Sequence, residues 1–206
     1  MPVKLVMYDF KQCDPKRCSG QRLAARGLIK TILKSQPFTG VLLSSEGTSY
    51  FSVADVPQIN QSGLGVVDCS WNEILRHDSV PIKQLKCKTH RLLPFLIAAN
   101  AVNYGKPMHL NCAEAVIAGL YIMGAVDQAL ELAEVISYGG QFIKLNQEYL
   151  DLYKECADSA EIVKVQEGII ARLGDKEEKV ELMEELEEEE EIDYNAIYNK
   201  IQEEKQ

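Results

Sequence analysis

The sequence predicts an α/β fold, a parallel-sheet N-terminal part followed by a mostly helical C-terminal part. Three observations carry this. Short apolar segments at 3–9, 40–44 and 65–69 recur with helical stretches between them, the pattern of a parallel sheet with right-handed crossovers. Each ends in polar residues, as strands do when their carboxyl ends open onto a site. From Pro94 onward helical periodicity takes over.

Residues 3–9 (VKLVMYD) read as a buried strand by apolar and β-branched content. A basic loop follows, and Ser19 stands as the N-cap of a helix over 21–26. Gly27 interrupts that helix, and residues 28–34 continue it for a further turn or two. After the third strand, residues 71–76 read as a helix. Residues 95–101 are apolar without alternation, and 103–107 (NYGKP) form a turn. Residues 112–123 (CAEAVIAGLYIM) are small and apolar nearly all round, which predicts a central helix buried on several sides. Residues 126–137, 139–156 and 158–172 read as further helices. A charge run over 175–192 has a thin apolar stripe at Val180, Met183 and Leu186, and reads as a solvated helix or a disordered acidic tail. The expected division is 1–92 for the parallel α/β part, 93–174 for the helical part and 175–206 for the tail.

The 206 residues are 46% hydrophobic, an ordinary globular composition, and no apolar run approaches the roughly 20 residues that span a bilayer. The start lacks the pattern of a secretory signal, so the expected location is the cytoplasm or nucleus, without a membrane partner. Six cysteines at 13, 18, 69, 87, 112 and 156 form no C-x-x-C pair, so no metal site is expected and they read as small buried hydrophobes. The net charge of −9 is uneven: residues 161–206 hold 6 Lys/Arg against 16 Asp/Glu, whereas residues 1–126 hold 14 against 8. The body is therefore mildly basic and permissive for RNA.

Four polar segments interrupt the apolar framework. The loop Asp14-Pro15-Lys16-Arg17-Cys18-Ser19-Gly20 opens a helix, where backbone N–H groups favour anions; a basic surface turn accounts for the same residues. Leu43-Ser44-Ser45 closes a strand with small residues that admit a flat ligand, or is an ordinary strand end. Asp68-Cys69-Ser70-Trp71 joins a carboxylate to the only tryptophan, whose face suits a cationic centre such as a sulfonium; a core Trp beside a capping Asp fits equally. The stretch from Arg91 to Ala115 mixes turns, amides and very small residues, which line a cavity more readily than they fill a core. Dinucleotide-binding and P-loop signatures are absent, as is a defensible Ser/His/Asp set.

In this order, these segments resemble the small-subunit rRNA aminocarboxypropyltransferase family, related to the knotted SPOUT-type RNA methyltransferases. The carrying motifs are Asp14–Gly20, Asp68–Trp71, Leu93-Pro94-x-Leu96-x-Ala98-Ala99-Asn100-x-x-Asn103-Tyr104-Gly105-Lys106-Pro107, and Leu110-x-x-x-Glu114-Ala115, and the match covers about residues 3–170. The resemblance implies a trefoil knot at a site for S-adenosyl-L-methionine (SAM). SAM contacts would be Ser19, Val67, Leu93, Met108 and Cys112, with Leu43, Ser45, Trp71, Leu110 and Ala115 around them. The family favours proline where Ser45 and Ala101 stand, and often a hydroxyl residue where Cys112 stands; contacts made through the backbone would survive these changes. The implied reaction moves the aminocarboxypropyl arm to N3 of a modified uridine in small-subunit rRNA, with Asp68 the best-placed base. Lys11, Lys16, Arg17, Arg22 and Arg26 are the candidate phosphate contacts, and a monomer is expected. Two other readings stay open: a methyltransferase of the same architecture, and a non-catalytic ribosome-assembly factor whose tail binds a basic partner.

Overall fold

The computed structural model describes residues 2–11, 18–68 and 82–174; Lys16, Arg17, Trp71, the expected helix at 71–76 and the acidic tail lie outside them. Five strands, β1 (Leu5–Asp9), β2 (Lys30–Ile32), β3 (Phe38–Leu43), β4 (Leu64–Asp68) and β5 (Cys87–Arg91), form one sheet. The order is β2-β1-β4-β3-β5 and every neighbouring pair is parallel. The described helices are α1 (Ser19–Ala25), α2 (Val56–Ser62), α3 (Cys112–Ile122), α4 (Val126–Val135), α5 (Gly139–Lys154) and α6 (Ser159–Gly174). None of them is long and apolar enough to cross a membrane.

Topology and side-chain period together place the core. The β1–β2 and β3–β4 connections step the same way along the sheet, so right-handed crossovers put α1 and α2 on one face. Leu23 and Ile59 of those helices join Leu5, Met7, Val41, Leu43, Leu64 and Val66 there, under α3 to α6. The alternate strand residues Val6, Tyr8 and Leu42 point to the other face. The β4–β5 connection steps the opposite way, and its Ile82 and Leu85 cover that second face.

Two local expectations need correction, and one strand was not foreseen. Residues 28–34 do not extend α1: Gly27, at φ +72°, ends it, and 30–32 pair with β1. A three-residue strand is too short to show a period, and Thr31 and Ile32 suit a pleated edge. The N-cap of α1 is Cys18 and not Ser19; Cys18 is extended (φ −70°, ψ 122°) and its sulfur accepts from Gln21 N at 3.4 Å. Strand β5 (CKTHR) carries no apolar run because it is an edge strand, where charged residues are the usual protection.

The segment between β5 and α3 is the unusual part. Residues 94–100 are buried but belong to no helix or extended strand. Buried backbone groups must be paired, and here two different sources supply the partners. On one edge the chain folds back on itself: Ala98 N donates to Lys106 O (3.0 Å), Gly105 N to Ala98 O (2.8 Å) and Met108 N to Leu96 O (2.8 Å). On the other edge, helix side chains stand where a neighbouring strand would be. Phe95 N donates to Gln166 Oε1 (3.1 Å) and Phe95 O accepts from the Tyr153 hydroxyl (3.1 Å). Ile97 N donates to Asn146 Oδ1 (2.7 Å) and Ile97 O accepts from Asn146 Nδ2 (2.8 Å). Ala99 N donates to Glu114 Oε1 at 2.7 Å.

Asn146→Leu keeps the branched shape but removes both partners of Ile97. Leaving two buried backbone groups unpaired should cost about 2–4 kcal/mol in denaturant unfolding. A loss under about 1 kcal/mol would mean that the segment re-pairs by itself.

Candidate functional site

Asp68 ends β4 and is 3% exposed. Its two carboxylate oxygens each accept from a thiol, Cys18 Sγ at 3.0 Å and Cys112 Sγ at 3.1 Å. Cys18 caps α1 and Cys112 opens α3, so two helix starts meet at the carboxyl end of a central strand. Gly20 permits the approach: a Cβ there would collide with Met7 Sδ and touch Cys112 Cβ.

A second set of polar groups fixes the start of α3. Asn111 is its N-cap and accepts from Ala113 N (3.1 Å), Glu114 N (3.2 Å) and the Ser19 hydroxyl (3.1 Å). Asn111 Nδ2 donates to the Tyr138 hydroxyl at 2.7 Å. Glu114 is fully buried and its Oε2 accepts from Asn111 N (2.9 Å) and Asn100 Nδ2 (2.7 Å), completing a capping box that also binds the irregular buried segment. Burial raises the Glu114 carboxyl above its ordinary value, and the N–H donors of Asn111, Asn100 and Ala99 offset part of that rise. Burial likewise raises the Tyr138 phenol, against hydrogen bonds from Asn111 and Ser19.

The residues expected at the site divide into three groups. Ser19, Asp68 and Cys112 come together through the hydrogen bonds above. Leu93, Met108, Leu110 and Ala115 are half-buried, with one flank against the main core and the other uncovered. Met108 holds φ +60°, a left-handed conformation uncommon for a non-glycine residue. The third group faces elsewhere. The Val67 side chain packs on the second face, and only its carbonyl reaches the Cys112 thiol, at 3.6 Å. Leu43 is a core residue against α3, since a Cβ on Gly119 would lie 3.0 Å from its Cδ1. Ser45 is exposed just past β3. Among the cations, Lys11, Arg22 and Arg26 are exposed, and Arg26 Nη1 donates to Val135 O at 3.2 Å, at the end of α4.

Sequence reasoning assigned no role to Cys18, Asn111 or Tyr138. The spacing Asn111-x-x-Glu114 is a legible capping signal. By composition all the cysteines read as small buried hydrophobes, with Cys112 a SAM contact by resemblance, but the thiols of Cys18 and Cys112 are hydrogen-bond donors to an acid. Tyr138 carries no local signal, because its partner is 27 residues away.

A family model described as "Ribosome biogenesis protein, C-terminal" matches residues 41–170. An 18S rRNA aminocarboxypropyltransferase of Saccharomyces cerevisiae is 43% identical over 84% of this chain and 54% of its own length. A 16S rRNA aminocarboxypropyltransferase of Methanosphaera stadtmanae is 41% identical over 80% of this chain and 95% of that protein. The chain belongs to the rRNA aminocarboxypropyltransferase family. It spans about half the length of its yeast relatives, 54% and 55% in the two species, and nearly all of the archaeal one. A solved member of the family, a SAM-dependent rRNA:acp-transferase from Vulcanisaeta distributa, superposes with a TM-score of 0.70 at 29% identity, covering 89% of this chain and 96% of that one. A shorter model, "Possible Fer4-like domain in RNase L inhibitor, RLI", matches residues 3–36. That stretch contains only Cys13 and Cys18, fewer thiolates than an iron–sulfur cluster takes, and the Cys18 thiol is engaged with Asp68. The residues do not fit a cluster.

Glu114 generates a pH prediction. Its folded pKa lies above the ordinary 4.5, so the folded state binds the extra proton and stability from this group falls as pH rises through that window. Unfolding free energies between about pH 4 and pH 7 should lose this slope in Glu114→Gln. That variant should also be less stable throughout, because an amide NH2 then faces the N–H donors of Asn100 and Asn111.

Proposed function

We propose that the chain transfers the 3-amino-3-carboxypropyl group of SAM to N3 of a modified uridine, of the N1-methylpseudouridine type, in small-subunit rRNA during ribosome biogenesis. The observation that carries this reading is the convergence of Asp68, Ser19 and Cys112 at the strand end, in a chain 41–43% identical to named rRNA aminocarboxypropyltransferases. A SPOUT-type trefoil is the architecture that the family resemblance suggests for the site, and the irregular segment 94–108 beside α3 is compatible with it. The cell compartment that fits is the cytoplasm or nucleus.

The residues suit a ligand with an apolar body and a charged end. Leu93, Met108, Leu110 and Ala115 offer half-buried apolar flanks, and the Ser19 hydroxyl lies beside the start of α3 where an anionic carboxylate is favoured. Contacts of Val67 are made through its backbone, and Leu43 supports the pocket from the core. The family resemblance adds Ser45 and Trp71 to the residues around the ligand. SAM supplies three carbons activated by a sulfonium, and the carbon presented in line to the nucleophile is the one that reacts.

For arm transfer the RNA N3–Cγ bond forms as the Cγ–S bond breaks, and neutral methylthioadenosine leaves. The N3 proton goes to Asp68. Its oxygens are held by thiols, which are weak donors and give way readily to a ring N–H. Lys11, Lys16, Arg17, Arg22 and Arg26 hold RNA phosphates beside the first loop, with the target base splayed out of its hairpin.

The deciding experiment uses SAM labelled in its carboxyl group and precursor small-subunit rRNA. Label retained on RNA with methylthioadenosine as co-product is expected; adenosylhomocysteine would indicate methyl transfer. Asp68→Asn should lose about 100-fold or more in transfer while SAM still binds, and undiminished transfer would remove the base role. Collective charge reversal at the five basic positions should weaken RNA binding and flatten its salt dependence; an unchanged slope would overturn that assignment.

A further inference from the structure

The turn at 101–106 carries an exposed apolar pair, Val102 at 71% and Tyr104 at 51% exposure, and Tyr104 is the only aromatic among the large exposed hydrophobics of the described residues. Nothing above accounts for it. An aromatic on a loose loop would mean little, but this turn is rigid. Asn100 Oδ1 accepts from Val102 N (3.3 Å) and Asn103 N (3.0 Å), and Lys106 N donates to Asn103 O at 3.0 Å. Gly105, at φ +78°, turns the chain back and donates to Ala98 O. Asn100 is itself 4% exposed and bonded to Glu114.

The same contacts tie the turn to the rim of the site. Gln141 Nε2 donates to the Tyr104 hydroxyl at 3.5 Å. One helical turn earlier on α5's edge, the Tyr138 hydroxyl accepts from Asn111, which in turn accepts from Ser19. Asn100, at the base of the turn, is joined through Glu114 to Asn111 and so to Ser19. The turn itself carries a cation and no acid: residues 100–108 contain Lys106 and no Asp or Glu. Lys106 is exposed two residues from Tyr104, and Lys144 is exposed on α5 three residues from Gln141.

We propose that Tyr104 is a stacking platform for a base of the substrate RNA, backed by Val102, with Lys106 on an adjoining phosphate. This rests on the rRNA reading above and adds a second RNA contact, separate from the basic residues of the first loop. An exposed π-face on a hydrogen-bonded turn, with an exposed lysine two residues away, fits an unstacked nucleobase better than it fits an apolar protein surface. It also gives the enzyme a way to hold the neighbour of an extruded nucleotide out of its hairpin.

The test measures dissociation constants of the full chain for the small-subunit rRNA hairpin at two salt concentrations. Tyr104→Ala should bind about 10-fold more weakly, and Tyr104→Leu should follow it, because leucine keeps apolar area without a π-face. Tyr104→Phe should stay within about twofold of wild type. The salt slope should be unchanged in all three, whereas Lys106→Ala should lower it by about one. SAM affinity and melting temperature should not move. Unchanged RNA affinity in Tyr104→Ala, full affinity in Tyr104→Leu, or failure of the wild type to bind the hairpin would overturn the platform. A drop in SAM affinity or melting temperature that matches the RNA loss would overturn it in favour of a structural role. Transfer of carboxyl label by the same wild-type sample is read independently, so failure of the transferase reading registers apart from the affinity ratios.

Discussion

The constraint on which the rest of the structure depends is the pairing of buried backbone at residues 94–100. An irregular segment in an apolar interior is tolerated only if each N–H and C=O finds a partner. Here Asn146, Gln166, Tyr153 and Glu114, all at most 1% exposed, take the place of a neighbouring strand. They come from α3, α5 and α6, so the geometry of three helices is coupled to one stretch of chain. An all-apolar helical core would pack equally densely and could not hold this segment.

Glu114 is where that structural network becomes a functional one. One carboxylate oxygen holds Ala99 and the other holds Asn100 and Asn111, so the irregular buried segment, the exposed turn and the start of α3 are tied through one side chain. Asn111 then positions Ser19, and the next residue, Cys112, reaches Asp68. The two buried acids differ in surroundings. Glu114 is satisfied by fixed amide donors and serves as a strut. Asp68 accepts from two thiols, which are weak donors, at the carboxyl end of a strand.

The sheet supplies the remaining condition. Parallel strands place every carboxyl end on one side, so Asp9, Leu43 and Asp68 end at the same edge. Asp9 is used locally: its oxygens accept from Lys11 N (2.7 Å) and Gln21 Nε2 (2.8 Å), fixing the entry to α1. That leaves Asp68 as the acid at which the starts of α1 and α3 meet.

The sequence by itself determined the long elements and the family. Strands β1, β3 and β4 and helices α3 to α6 follow from apolar runs and helical periods, and those signals are strong because each element buries a whole face. The residues from Arg91 to Ala115 were legible as irregular for a related reason, since small residues and amides are out of place in an apolar run; that residues 94–100 are buried core was not. Elements without such a face were not legible. Strand β2 is three residues long and β5 is a charged edge, and only pairing with β1 and β3 makes them strands. Orientation also belonged to the tertiary structure. Val67 and Leu43 both sit at strand ends, but the period of two turns one side chain to the second face and the other into the core. The same holds for Cys18, Cys112 and Tyr138. A hydrogen bond across 27 to 50 residues depends on where helices land, and no local pattern encodes that.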